Sequence, residues 1–164
     1  MRNISRRKVR MMKKTVIALC GLAIVGSAAM AQTPAAEPKA GLVKSVRGSV
    51  QLLDADGAVR NASPGDALGS VDRIVTGPDS SASVVMRDDT TLVVGPASRL
   101  DLKEFHFDGT THEGGMLLSL LRGSMRMITG LIGKTNPDAV RVETQTATIG
   151  IRGTDFIVQA DGRP

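Results

Sequence analysis

His106 and His112 are the only two histidines of this 164-residue chain, and Asp108 and Glu113 lie beside them. These four residue types could hold a metal ion. Their order, His-x-Asp-x3-His-Glu, matches no zinc or calcium spacing, and the polar, glycine-rich surroundings read as a solvated loop. Asp54, Asp56 and Gly57 resemble the opening of a calcium loop, but the later ligands are absent and a hairpin turn accounts for them. Ser49, Ser70 and Ser124 each follow a glycine, yet none sits in a G-x-S-x-G nucleophile elbow. The only cysteine, Cys20, lies in an apolar stretch near the start. Carboxylates are numerous enough to supply a glycosidase pair. The aromatic rings that usually hold sugars are reduced to Phe105, Phe107 and Phe156. No glycine loop of the phosphate-cradling kind precedes a helix. The sequence therefore predicts no catalytic residues, no metal and no cofactor.

The charge distribution explains an apparent basic character. Arg2, Arg6, Arg7, Lys8, Arg10, Lys13 and Lys14 precede the apolar stretch from Thr15 to Ala31, which ends in the small-residue tripeptide Ala29-Met30-Ala31. This is the layout of a general-secretion signal peptide, predicted over residues 1–31. Met12-Lys13-Lys14 makes a second, shorter start. Removing residues 1–31 takes seven of 21 Lys and Arg and none of the 16 Asp and Glu, so the remainder carries 14 against 16, a net charge of −2. The net +5 of the whole chain belongs to its leader, and a nucleic-acid partner is not expected. With few rings, stacking on single strands is not expected either. An uncleaved anchor is the rival reading, because 17 apolar residues are near the short limit for a bilayer span; the Ala-Met-Ala site favours cleavage, which leaves no segment for lipid insertion.

Residues 32–40 (QTPAAEPKA) read as a Pro/Ala-rich tether, and residues 41–164 as a single domain. Short apolar alternations recur between turn signals. Val43, Val46, Val50 and Leu52 mark a first strand pair. Turns follow at Asp54-Ala55-Asp56-Gly57, Ser63-Pro64-Gly65-Asp66 and Thr76-Gly77-Pro78-Asp79. Ala82, Val84 and Met86 alternate with Ser81, Ser83 and Val85; Asp88-Asp89 turns the chain into Leu92-Val93-Val94. Leu100 and Leu102 alternate with Asp101 and Lys103, and Val140, Val142 and Thr144 with Arg141 and Glu143. Strands at this spacing predict an all-β fold, a sandwich or roll of mostly antiparallel strands. Met116 to Ile132 is apolar enough for an amphipathic helix, but Gly123 and Gly130 would each cost a helix up to about 1 kcal/mol. It is read as a long central strand followed by a loop.

One short pattern occurs three times: an apolar residue, Arg-Gly, then Ser or Thr. It appears at Val46-Arg47-Gly48-Ser49, Leu121-Arg122-Gly123-Ser124 and Ile151-Arg152-Gly153-Thr154. Glycine within a strand marks a bulge or a close backbone approach. Equivalent bends in a roll of hairpins are the plain reading; a shared ligand-binding corner is the sharper one.

The third copy lies in Thr144-Gln145-Thr146-Ala147-Thr148-Ile149-Gly150-Ile151-Arg152-Gly153-Thr154-Asp155-Phe156. This run closely resembles the signature of the FecR domain family. Gly65-Asp66 with Asp72-Arg73-Ile74-Val75-Thr76-Gly77, and the hairpin from Ser81 to Ser98, are similar to other parts of the family pattern. The resemblance spans Gly41 to Val158. It implies an all-β domain in the periplasm of a Gram-negative bacterium, or secreted, that binds proteins and takes part in signalling. Its signature residues, structural or binding, are Thr144, Thr146, Ala147, Gly150, Arg152, Gly153, Thr154 and Phe156, with Phe156 read as core anchor and Arg152 as polar clamp, and holding the fold is the favoured role over touching a ligand. The implied partner is another envelope protein, an outer-membrane transporter or a sigma-regulatory protein. Known members carry a cytoplasmic sigma-binding region, which at most 14 residues before Thr15 do not supply. A membrane-anchored regulatory subunit is the alternative, and an enzyme acting on wall polymers a more distant one. Asp161-Gly162 follows Ile157-Val158-Gln159-Ala160 closely, so the domain is either cut short or leaves an open strand edge for a partner or a second copy.

Overall fold

A computed structural model of the chain describes residues 39–162; the predicted signal peptide and residues 32–38 of the predicted tether lie outside them. Twelve strands form among the described residues: β1 (Lys39–Arg47), β2 (Val50–Leu53), β3 (Val59–Asn61), β4 (Ala67–Gly69), β5 (Arg73–Thr76), β6 (Ser81–Met86), β7 (Thr91–Val94), β8 (Arg99–Phe107), β9 (Gly114–Ile128), β10 (Val140–Glu143), β11 (Thr148–Gly150) and β12 (Asp155–Ala160). One short helix, α1 (Leu131–Thr135), follows β9. The all-β expectation holds. β1 begins at Lys39 and Ala40 is fully buried, so the folded body starts ahead of Gly41.

The strands make one continuous sheet that curls into a roll with two wings, and β9 runs through both. In the first wing the order is β3-β2-β5-β8-β9-β10-β11, where β10 lies parallel to the front half of β9 and the other neighbours are antiparallel. In the second wing it is β4-β1-β6-β7-β9-β12, all antiparallel, with the back half of β9 between β7 and β12. Val43, Leu52, Leu100, Leu118, Leu120, Met125 and Met127 face the enclosed core, all nearly or fully buried.

Passage between wings explains two of the three Arg-Gly-Ser/Thr elements. Gly48 has φ +72 and Gly123 has φ +88, a region that costs glycine nothing and other residues strain. At Gly48 the chain leaves β1 in one wing and enters β2 in the other, so the residues from Val43 to Leu52 supply two strands that do not pair with each other. This corrects the expected first strand pair. At Gly123 β9 itself bends, and the buried positions change from even (Met116, Leu118, Leu120) to odd (Met125, Met127). One bend thus flips the alternation, since strand side chains have a period of two.

Each bend is seated on a buried serine of a Gly-Pro-x-Ser turn. Ser49 N donates to Ser80 Oγ at 2.9 Å, and Ser80 Oγ to Pro78 O at 3.0 Å. In the matching corner Ser124 N donates to Ser98 Oγ at 3.0 Å, and Ser98 Oγ bonds to Pro96 O at 3.0 Å and Ser124 O at 3.2 Å. Thr76 Oγ1 ties the two together, donating to Gly95 O at 2.6 Å and accepting from Ser98 N at 2.9 Å. The plain reading holds for these two copies: they are equivalent corners of one roll.

The apolar run from Met116 is a strand, as expected, but it ends at Ile128 and passes into α1 rather than a loop. The reason is the buried turn between β6 and β7. Gly130 N donates to Thr90 Oγ1 at 2.9 Å and Leu131 N to Asp88 O at 2.7 Å, which starts one helical turn and buries Ile132.

Candidate functional site

The signature residues lie on β10, β11, β12 and their connections, along one side of β9. Val140 and Val142 are buried and hold β10 beside Met116 and Leu118. The hairpin then projects outward. Thr144 N donates to Ala147 O at 2.8 Å and Ala147 N to Thr144 Oγ1 at 3.1 Å, closing the turn that leaves Thr146 exposed. β11 is exposed at all three positions, Thr148, Ile149 and Gly150. Ile151 turns back into the core, its N donating to Val140 O at 3.3 Å.

Arg152, Gly153 and Thr154 form an exposed connection. Arg152 Nη2 lies 3.7 Å from Asp138 Oδ1, with the two side chains 83 and 77 % exposed. An ion pair so hydrated contributes at most about 1 kcal/mol. The connection is fixed through its backbone: Thr129 Oγ1 donates to Gly153 O at 3.1 Å and Thr129 N to Thr154 O at 2.9 Å. The third Arg-Gly-Ser/Thr copy therefore differs from the first two. A Cβ on Gly153 would meet no atom within 4 Å, whereas Gly48 and Gly123 are pressed against Ser80 and Ser98. Phe156 is half-buried against the core, and Val158 beyond it is buried.

Two bidentate ion pairs that no sequence spacing announced brace the sheet, one on this side of β9 and one across it. Arg126 on β9 grips Asp155 on β12 with two bonds, Nε to Oδ1 at 2.9 Å and Nη2 to Oδ2 at 2.5 Å, and so holds the Asp155 carboxyl below its ordinary pKa. Arg73 on β5 grips the buried Asp101 on β8 in the same bidentate way, with Nη2 to Oδ2 at 2.6 Å. Burial works to raise the Asp101 pKa, but the bond and charge of Arg73, with Lys103 and Arg99 nearby, outweigh it and the net direction is down. A carboxylate whose folded pKa is depressed stabilises the fold above its unfolded pKa and loses that contribution as pH falls through the folded value. Stability is thus expected to change little from neutrality to about pH 4 and to fall below it. Urea midpoints at pH 7, 4 and 3 check this, and Asp101→Asn should flatten the acid limb.

The His106 cluster is not one loop. His106 lies on β8 with Nδ1 3.3 Å from Glu104 Oε1, while His112 stacks on Phe107 with ring centroids 6.3 Å apart. Asp108 accepts from Thr110 N at 2.7 Å and Thr111 N at 3.0 Å, closing the β8–β9 turn. Among the described residues no group of three metal-ligating side chains comes together. A shallow polar groove of about 310 Å³ runs between β8 and the hairpin, lined by Glu104, His106, Arg141, Glu143 and Thr148 among others.

The family described as FecR protein matches residues 72–164, more than half of the chain. The chain belongs to the FecR family. That family is regulatory and sensing, associated with the cell envelope, and not one of enzymes. Within the FecR match lie every signature residue and the two Gly-Pro-x-Ser turns, while β1 to β4 precede it and complete the same roll. No curated protein matches the chain. Among solved structures it is similar to a cell surface anchoring domain, 25% identical, with a TM-score of 0.38 over 39% of this chain and 84% of that one. No helix among the described residues is long and apolar enough to cross a membrane.

Proposed function

We propose that this FecR-family chain is an exported, non-enzymatic module that binds another envelope protein through its signature hairpin and the Arg152-Gly153-Thr154 connection. One observation carries the reading. Thr146, Ala147, Gly150, Arg152, Gly153 and Thr154 are exposed, and Gly150 and Gly153 have open space where a side chain would sit. Backbone bonds at Ala147, Gly153 and Thr154, and the φ of +156 at Gly153, hold the connection in shape, but its side chains pack against nothing, whereas the Gly48 and Gly123 positions press on Ser80 and Ser98. An Arg held at the surface by one weak ion pair is instead free to fork onto a partner's carboxylate or carbonyls. In this reading residues 1–31 direct export and are removed, the roll is the rigid support, and the partner is an outer-membrane transporter or a sigma-regulatory protein.

The test is capture from intact, crosslinked envelopes of the native host. The full chain, tagged at its C-terminus, is expected to bring down one envelope protein, and Arg152→Ala to reduce that recovery about tenfold while the urea midpoint stays unchanged. Equal recovery with both chains would remove the hairpin surface from the proposal. The same preparation tests export, since the processed chain should begin at Gln32; a chain that keeps residues 15–31 would instead be an anchored regulatory subunit.

A further inference from the structure

Among the described residues β12 is the longest strand whose whole outer edge is open. The edge strands β3, β4 and β11 have three residues each, and the open stretches of β1 past Val43 and of β8 past Leu102 each carry a lysine and a bulge, Lys44 and Lys103, which blunt them. β12 has six, pairs with β9 in unbroken register from Asp155 to Ala160, and has no other neighbour among the described residues. Its sequence, Asp-Phe-Ile-Val-Gln-Ala, contains no Pro, Lys or bulge, the usual devices that blunt an edge. Its one charge, Asp155, is already occupied by Arg126.

The hydrogen-bond phase of this edge is fixed by its neighbour. Thr129 N donates to Thr154 O, so in an antiparallel ladder the alternate residues 156, 158 and 160 bond to β9. The backbone N–H and C=O groups of Asp155, Ile157 and Gln159 therefore point to the open side. These three are spaced symmetrically about Ile157, whose side chain is 71% exposed on the outer face, directly beside Arg126 of β9 and in line with Val93 of β7.

We infer that β12 pairs with β12 of a second copy of this chain about a two-fold axis through Ile157. In that register Ile157 opposes its own counterpart and Asp155 opposes Gln159 of the other copy. All three outward donors and all three outward acceptors of each strand are then bonded. Face parity is kept, so Ile157 meets its own counterpart where the two outer rows, each Ile157, Arg126 and Val93, join, and no like charges are directly opposed. A second copy supplies this match by symmetry, because an isologous contact presents the same patch twice. The inference names a surface and a partner that the binding reading above leaves open.

The dimer should be visible by sedimentation of the full chain at micromolar concentration. Ile157→Lys, which sets two charges side by side at the axis, should weaken it about tenfold or more, with circular dichroism at a concentration where both chains are monomeric showing the roll intact. Geometry gives a second readout. In a Cys20→Ala background, Ile157→Cys should form a disulfide across the axis, where Cα atoms stand about 5.5 Å apart. Gln159→Cys should not, because its copies are about 13 Å apart along the strands. A chain that stays monomeric at hundreds of micromolar overturns the inference and leaves the binding module standing. So does a dimer indifferent to Ile157→Lys, or one that crosslinks through residue 159 in preference to 157.

Discussion

Gly123→Ala is expected to destabilise the protein by about 3 kcal/mol or more, which a urea titration followed by circular dichroism would read directly. Two costs combine. Alanine at φ +88 pays roughly 1–3 kcal/mol of backbone strain. Its Cβ would also overlap Ser98 Oγ and lie 2.6 Å from Ser98 Cα, a backbone atom that cannot step aside. Forcing a methyl group into such a site costs about 1–3 kcal/mol more. The damage would spread, because Ser98 holds Ser124 and Thr76, and these hold the crossing of β9 from wing to wing. Gly150→Ala is the matched comparison. Nothing lies within 4 Å of its Cβ position, so a change within about 0.5 kcal/mol is expected. A large loss at Gly150 would mean that the signature hairpin supports the roll.

Leu118→Ala should cost a similar amount, about 3–5 kcal/mol, for a different reason. Its side chain is fully buried where β9 is flanked by β8 and β10, and a strand crossed on both sides cannot collapse to fill the void. Ile149→Ala, on the exposed β11, should cost less than about 1 kcal/mol. Guanidinium midpoints of both variants against the parent chain separate scaffold from display surface. Comparable losses would place the hairpin in the core and undo the functional reading.

Much of this architecture was legible in the sequence where local chemistry decides it. Alternation from Ser81 to Met86, the Asp54–Gly57 turn and the Arg122-Gly123-Ser124 pattern each show a period or a turn residue. The pairing of β1 with β6 rather than β2 was not legible. It depends on where Gly48 sends the chain, and a positive φ names a bend without naming its direction. The short helix after β9 was hidden for the same kind of reason, since Asp88 and Thr90, some 40 residues earlier, supply the bonds that start it. The site divides similarly. The signature run identified which residues to watch, and Phe156 packs on the core as expected, but type and spacing could not say that Arg152 stays in water with a single weak ion pair. The Arg126–Asp155 grip, 29 residues apart in sequence, is set by sheet register alone.

The central claim is that the protein displays its signature hairpin for another envelope protein. Photo-crosslinking in intact native cells tests it most directly, with a photoreactive residue placed in the full chain at 146, 149 or 152, and at 59 or 111, exposed positions outside the signature hairpin. The account predicts adducts to one envelope protein from 146, 149 and 152 and none from 59 or 111. Adducts from 59 and 111 alone, or from none of the five in a folded and exported chain, would contradict it.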